Sequence, residues 1–203
     1  GDQLYQMDFS KMIDAHKKSG AALTIATIPV GEREAPEFGI LKSNNENVIT
    51  SFIEKPSKEL LPDWVSDTGA TMQGQGRHYL ASMGIYVFNK EILYKLLNEV
   101  HAKATDFGKE IIPDSIAHYK VLSYQYDGYW TDIGNIYSFF EANIALTEAI
   151  PPFNLFDSAQ TIYTRPRMLP PAKISGTMID RAIIAEGSII HAASVTQSVI
   201  GIR

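Results

Sequence analysis

The apolar side chains between residues 8 and 20 recur at helical spacing, with Phe9, Met12 and Ile13 on one stripe, His16 continuing it and Gly20 supplying a stop. An amphipathic helix of about three turns is predicted there. Residues 21–30 follow without a charge and are apolar on both faces up to Pro29, which predicts a strand covered on both sides rather than one with a wet face. Helix followed at once by buried strand is the rhythm of an α/β sheet.

Residues 38–42 and 48–53 are short strand-like runs joined by Ser43, Asn44 and Asn45, which predict a hairpin added to that sheet. The polar stretch 57–77, carrying Gly69, Gly74 and Gly76, is long for a structureless loop and is expected to be mobile or functional. A strand over 82–88 follows, then a helix over 90–100 with Ile92, Leu93, Leu96, Leu97 and Val100 on one face. A second helical segment over 107–119 is disturbed by Pro113, and 121–126 reads as a strand. After Asp132 and Gly134 a helix carries Ile136, Phe139, Phe140, Ile144 and Leu146, until Pro151 and Pro152 forbid its continuation.

Beyond the double proline the period becomes six. Ile183, Ile189 and Val195 form one series, Met178, Ile184, Ile190, Thr196 and Ile202 the next, and Ala182, Ser188 and Ser194 a small-residue series beside them. Such a period marks a hexapeptide-repeat left-handed β-helix, in which every six residues build one flat side of a triangular coil. A pair of ordinary strands is the alternative. The expected fold is therefore α/β, a mixed sheet with flanking helices over residues 1–150, then a linker and the start of a β-helix over 151–203.

Composition narrows the partners. Lys and Arg total 18 against 23 Asp and Glu, a formal charge of -5, so a nucleic-acid backbone would meet net repulsion, and no local basic patch overrides it. There is no cysteine, which removes disulfides and thiolate metal sites and fits a reducing compartment. The apolar runs are broken well before the roughly 18 residues a membrane helix needs, and nothing at the start resembles an export signal. A soluble, cytoplasmic chain without membrane or nucleic-acid partners is expected, and Gly1 as first residue suggests a trimmed end.

Four short constellations could carry chemistry. Gly1-Asp2 would be a carboxylate at a strand end, where ligands collect in open α/β sheets, or else a frayed terminus. Glu54-Lys55-Pro56 ends a strand with an acid, an amine and a turn-maker; it could bind a phosphate and sugar hydroxyls, or be a solvated strand end. Ser82-Met83-Gly84 opens a strand with a hydroxyl and a residue that lets a ligand approach the backbone. Residues 129–134, Tyr-Trp-Thr-Asp-Ile-Gly, set Asp132 between aromatics and a glycine; an aromatic core corner with an exposed acid is the other reading.

In this order these residues resemble the sugar-phosphate nucleotidylyltransferases, with further markers at Gln3-Leu4-Tyr5, Glu37-Phe38-Gly39-Ile40 and residues 81–86. Segments 106–113 and 169–173 point to the ADP-glucose branch rather than to enzymes making UDP-, dTDP- or GDP-sugars. The resemblance implies a Rossmann-like catalytic domain whose C-terminal, sugar-phosphate side is residues 1–150, and a reaction in which a glucose 1-phosphate oxygen attacks the α-phosphorus of ATP, releasing pyrophosphate and ADP-glucose for glycogen or starch synthesis. It implies catalytic roles for Asp2, Lys55 and Asp132 in a shared cleft: Mg²⁺ on Asp2 and Asp132, and the phosphate of glucose 1-phosphate on Lys55. Glu54, Ser82 and the backbone at Gly39 would hold the sugar and Trp130 would wall the site. A homo-oligomer, a tetramer under allosteric control, is the expectation for the β-helix. The family's glycine-rich basic loop for the triphosphate belongs well upstream of Asp2, and Gly74-Gln75-Gly76 is no substitute, so the 203 residues alone are expected not to catalyse. A pyrophosphorylase for another nucleotide sugar is one alternative. A non-catalytic regulatory relative is the other, and retention of Asp2, Lys55 and Asp132 weighs against it, because buried unpaired charges are costly to keep without a ligand.

Overall fold

A computed structural model describes residues 2–203. In chain order its elements are β1 (Gln3–Tyr5), α1 (Phe9–Ser19), β2 (Leu23–Val30), β3 (Gly39–Ser43), β4 (Ile49–Glu54), α2 (Ala70–Gly74), β5 (Tyr79–Phe88), α3 (Lys90–Lys95), α4 (Ile112–His118), β6 (Val121–Gln125), β7 (Trp130–Asp132), α5 (Ile136–Ala145), β8 (Lys173–Ser175), β9 (Met178–Ile184), β10 (Ile189–His191) and β11 (Ser194–Ile200). They form two compact units, residues 7–127 and, in the other, the segment up to Gln6 together with residues 128–203. A mixed sheet with flanking helices followed by short stacked strands agrees with the expected fold class. Among the described residues no helix is long and apolar enough to cross a membrane.

In the unit of residues 7–127 a five-stranded sheet runs in the order β4-β3-β5-β2-β6, antiparallel except for the parallel pair β2–β6. All eight residues of β2 are buried, as the charge-free run predicts. Successive strand side chains point to opposite faces, so β2 builds two half-cores. On one face Leu23 and Ile25 join Leu41, Ile49, Leu80 and Val121 beneath Ile112 of α4. On the other, Thr24 meets α1, whose buried residues are Met12 and His16. His16 Nδ1 lies 2.8 Å from Thr24 Oγ1 and Nε2 lies 3.1 Å from Asn89 Oδ1. The Asn89 amide donates to the Ala21 carbonyl at 3.2 Å, which leaves Oδ1 as the acceptor and puts the imidazole proton on Nε2.

Three segments depart from the sequence pattern. The stretch 57–77 is not structureless: it holds a 3-10 segment, Lys58–Trp64, and α2, with Leu61 fully buried beneath it. The predicted helix over 90–100 is α only as far as Lys95 and continues as a π-turn, Leu96–Val100. Likewise 107–119 opens as a π-turn, Phe107–Ile111, before α4 begins, and Pro113 sits in the first turn of α4, where its missing N–H is not needed. Side chains hold that π-turn in place. Asp106 accepts the Lys109 N–H at 3.1 Å, and Glu110 Oε1 accepts the N–H groups of Thr105 and Asp106 at 2.9 and 3.2 Å. Phe107 stacks on Tyr86 at 6.0 Å and meets Phe88 edge-on at 6.2 Å.

In the other unit β1 and β7 form an antiparallel ribbon, and β8–β10 and β9–β11 stack in parallel. Lys173 pairs with Ile189 and Met178 with Ser194, so one coil takes 16 residues and not three times six. Arg181 (φ 46°) and Gln197 (φ 44°) occupy equivalent places in the left-handed region in the middle of β9 and β11, where the ladder of paired residues is interrupted. Like residues still stack, Ile174 on Ile190, Ile179 on Val195 and Ile184 on Ile200. Helix α5 is capped by Asn135, which accepts the Ser138 N–H at 2.9 Å, but its apolar stripe is largely uncovered, with Ile136 89% and Phe140 56% exposed.

Candidate functional site

Within residues 7–127 the pairing of β3 with β4 sets Gly39 opposite Glu54, and the Lys55 N–H donates to the Phe38 carbonyl at 3.0 Å. Lys55 then takes a φ of 49°, which non-glycine residues seldom adopt, and is followed by the buried Pro56. Backbone of this kind collects at functional sites. The Glu54 carboxylate lies in a slot whose two walls have no room for a side chain. A Cβ on Gly39 would come 2.8 Å from Glu54 Oε2, and a Cβ on Gly108, in the π-turn, would come equally close at 2.8 Å.

That slot changes the chemistry of the acid. Burial first, and then the Asp106 carboxylate, push the Glu54 carboxyl above its ordinary range, while Lys55 and Lys109 pull it back. Lys109 itself lies 3.9 Å from Asp106. Glu54 is thus an acceptor held in a partly dry recess among a second carboxylate and two ammonium groups, rather than a freely solvated strand end.

Ser82 belongs to the same neighbourhood through Tyr86. Strand β5 bulges between them: Ser82 faces Thr27 and Tyr86 faces Ile25, with Gly84 at a φ of 69° in between and its N–H on Ser82 Oγ at 3.2 Å. The Tyr86 phenol is pushed up chiefly by burial; its hydrogen bond with Ser82 opposes this, and the Glu54 and Asp106 carboxylates add to it. Gly39, Glu54, Lys55 and Ser82 are therefore gathered with three groups not singled out in the sequence for a role, Tyr86, Asp106 and Gly108. The signal for the last two lay in segment 106–113, where a glycine, poor in helices, stands inside a helical pattern just after an acid.

The remaining sequence candidates lie in the other unit. Gly1 is outside the described residues. The β1–β7 register places Gln3 opposite Asp132, and the Asp2 carbonyl accepts the Ile133 N–H at 2.9 Å, so Asp2 and Asp132 stand at neighbouring ends of one ribbon. Asp132 Oδ1 accepts the Gly134 N–H at 3.0 Å, which orients one carboxylate oxygen and leaves the other available. Trp130 Nε1 donates to Gln3 Oε1 at 3.3 Å across the ribbon. Among the described residues no group of three or more His, Cys, Asp or Glu could hold a metal ion. A pair of carboxylates nonetheless suits a hard divalent cation of the magnesium kind, which takes one or two protein carboxylates and completes its shell with water and substrate phosphates.

Comparison with known families gives two matches. The nucleotidyl transferase family matches residues 1–149, and the GLGC left-handed parallel β-helix domain matches residues 167–203.

Proposed function

The chain belongs to the nucleotidyl transferase family, and we propose that it is the sugar-phosphate side of a glucose-1-phosphate adenylyltransferase, joining ATP and glucose 1-phosphate to give ADP-glucose and pyrophosphate. A nucleotidyl transferase domain followed by a GLGC β-helix is the domain architecture of ADP-glucose pyrophosphorylase. Members of the nucleotidyl transferase family typically use divalent metal ions, sugar phosphates and nucleoside triphosphates. In this reading residues 1–150 are the C-terminal part of the catalytic domain and 151–203 the linker and first coils of the β-helix domain, and the assembled enzyme is a cytoplasmic homotetramer.

The observation that carries the proposal is the Glu54 slot between Gly39 and Gly108, with Lys55 beside it on a turned backbone. The glycine walls make room for the Glu54 carboxylate beside Asp106, and the two carboxylates accept hydrogen bonds from the hydroxyl groups of a hexose. Lys55 grips the phosphate, which holds the attacking oxygen in place and converts part of the encounter barrier into binding. Ser82 steadies the same sugar through its hydroxyl. Asp2 and Asp132 would hold Mg²⁺, which when bound offsets the charge growing on the phosphate oxygens.

Lys55→Ala tests this directly. Loss of one charge-assisted contact, about 1.5–3 kcal/mol, weakens glucose 1-phosphate binding about ten- to a hundredfold in titration calorimetry. An unchanged dissociation constant removes Lys55 from the phosphate site.

A further inference from the structure

We propose that Gly108 is a positioning residue for sugar recognition: it acts only through Glu54, by being the one residue type that lets the π-turn close over the Glu54 carboxylate. The inference rests on the reading of Glu54 as a sugar ligand and adds a residue to it from a segment remote in sequence.

The geometry is specific. A Cβ on Gly108 would meet Glu54 Oε2 at 2.8 Å, Glu54 Cδ at 3.1 Å and Asp106 Oδ1 at 3.4 Å, so nearly everything it would strike is the carboxylate pair itself. Gly39 lines the far side, where a Cβ would run into the Phe52 ring and come 2.8 Å from the same Oε2. The π-turn cannot move aside. Phe107, next to Gly108, is packed on Tyr86 and Phe88 at 6.0 and 6.2 Å. Asp106 and Glu110 tie the backbone N–H of Lys109 in the turn and those of Thr105 and Asp106 just before it, at 2.9–3.2 Å. Ile111 and Ile112, directly after it, are buried. An added methyl group must therefore be accommodated by the only flexible neighbours, and these are the Glu54 and Asp106 side chains.

The prediction is a non-additive pair. Gly108→Ala alone weakens glucose 1-phosphate binding about tenfold, the scale of one displaced hydrogen bond to an ionised acceptor, with the circular dichroism spectrum unchanged. In a Glu54→Ala background, where the carboxylate is already gone, adding Gly108→Ala has no further effect on affinity. Glu54→Asp, one methylene shorter, recovers part of the affinity lost in Gly108→Ala. Independently of any sugar, the carbon-13 titration of the Glu54 carboxyl moves in Gly108→Ala. Additive losses in the two backgrounds, with Glu54→Ala itself weakening binding, overturn the role of Gly108 and leave Glu54 as a ligand. An unaltered affinity in Glu54→Ala overturns both. A Glu54 carboxyl whose titration is the same in Gly108→Ala as in the parent chain also rejects the cradle, since the methyl group would then have been absorbed elsewhere.

Discussion

Exchanging Glu54 for glutamine should improve the fold and impair the site in one stroke. The glutamine keeps the volume that fits between Gly39 and Gly108, so no repacking is forced. Because burial and Asp106 raise the Glu54 carboxyl in the folded chain, the fold binds its proton more readily than the unfolded chain does. Ionised Glu54 therefore destabilises the folded chain at pH above its raised value, and this disadvantage fades as the pH falls through that value into the ordinary glutamate range. Glu54→Gln should accordingly melt at a higher temperature than the parent at neutral pH, with the difference shrinking on acidification. Binding moves the other way. A hydrogen bond to an ionised acceptor contributes about 1.5–3 kcal/mol and one to a neutral acceptor about 0.5–1.5, so the substitution loses about 1 kcal/mol or a little more, roughly tenfold in glucose 1-phosphate affinity. Differential scanning fluorimetry across the acid-to-neutral range and titration calorimetry at neutral pH read the two effects separately. A lower melting temperature at neutral pH would refute the electrostatic account of the slot, and full retention of affinity would refute the assignment of Glu54 to the sugar.

Three further outcomes are expected. His16→Ala leaves the buried Thr24 hydroxyl and the Asn89 carbonyl oxygen without their partner, and should cost about 2–4 kcal/mol in urea unfolding; a loss under about 0.5 would show that the α1–β2 bridge is dispensable. Gln197→Gly should stabilise the β-helix coil by about 0.5–1 kcal/mol, since glycine adopts the left-handed conformation without strain; a fall in thermal midpoint contradicts the reading of Gln197 as strained. Asp132→Asn keeps an oxygen for the Gly134 N–H, so folding should hold, while the divalent cation concentration for half-maximal rate of the proposed adenylyltransferase rises on the order of tenfold or more; an unaltered metal dependence removes Asp132 from the metal site.

Much of the fold was legible in the chain because single-residue periodicity reports burial. The charge-free run of β2, the stripe of α1 and the turn after Ser43 each predict an element where one stands. The π-turns were not legible. A helical pattern does not reveal where an extra residue enters, since that depends on what packs against it, here the rings of Tyr86 and Phe88. The coil of the β-helix shows the same limit. Branched residues announce stacked strands, but a six-residue period cannot register that Arg181 and Gln197 lie in the left-handed region.

The sequence by itself determined the class of the protein and put Gly39, Glu54, Lys55 and Ser82 forward as candidates, because motif spacing and residue type are local properties that survive without coordinates. Only the tertiary structure decided that Glu54 sits between two glycines from distant segments with Asp106 at its side, and so that its carboxyl holds its proton more tightly than an ordinary glutamate. The physical reason is that desolvation and charge repulsion depend on distance through space, and residues 39, 54, 106 and 108 become neighbours only when β3, β4 and the π-turn are folded together.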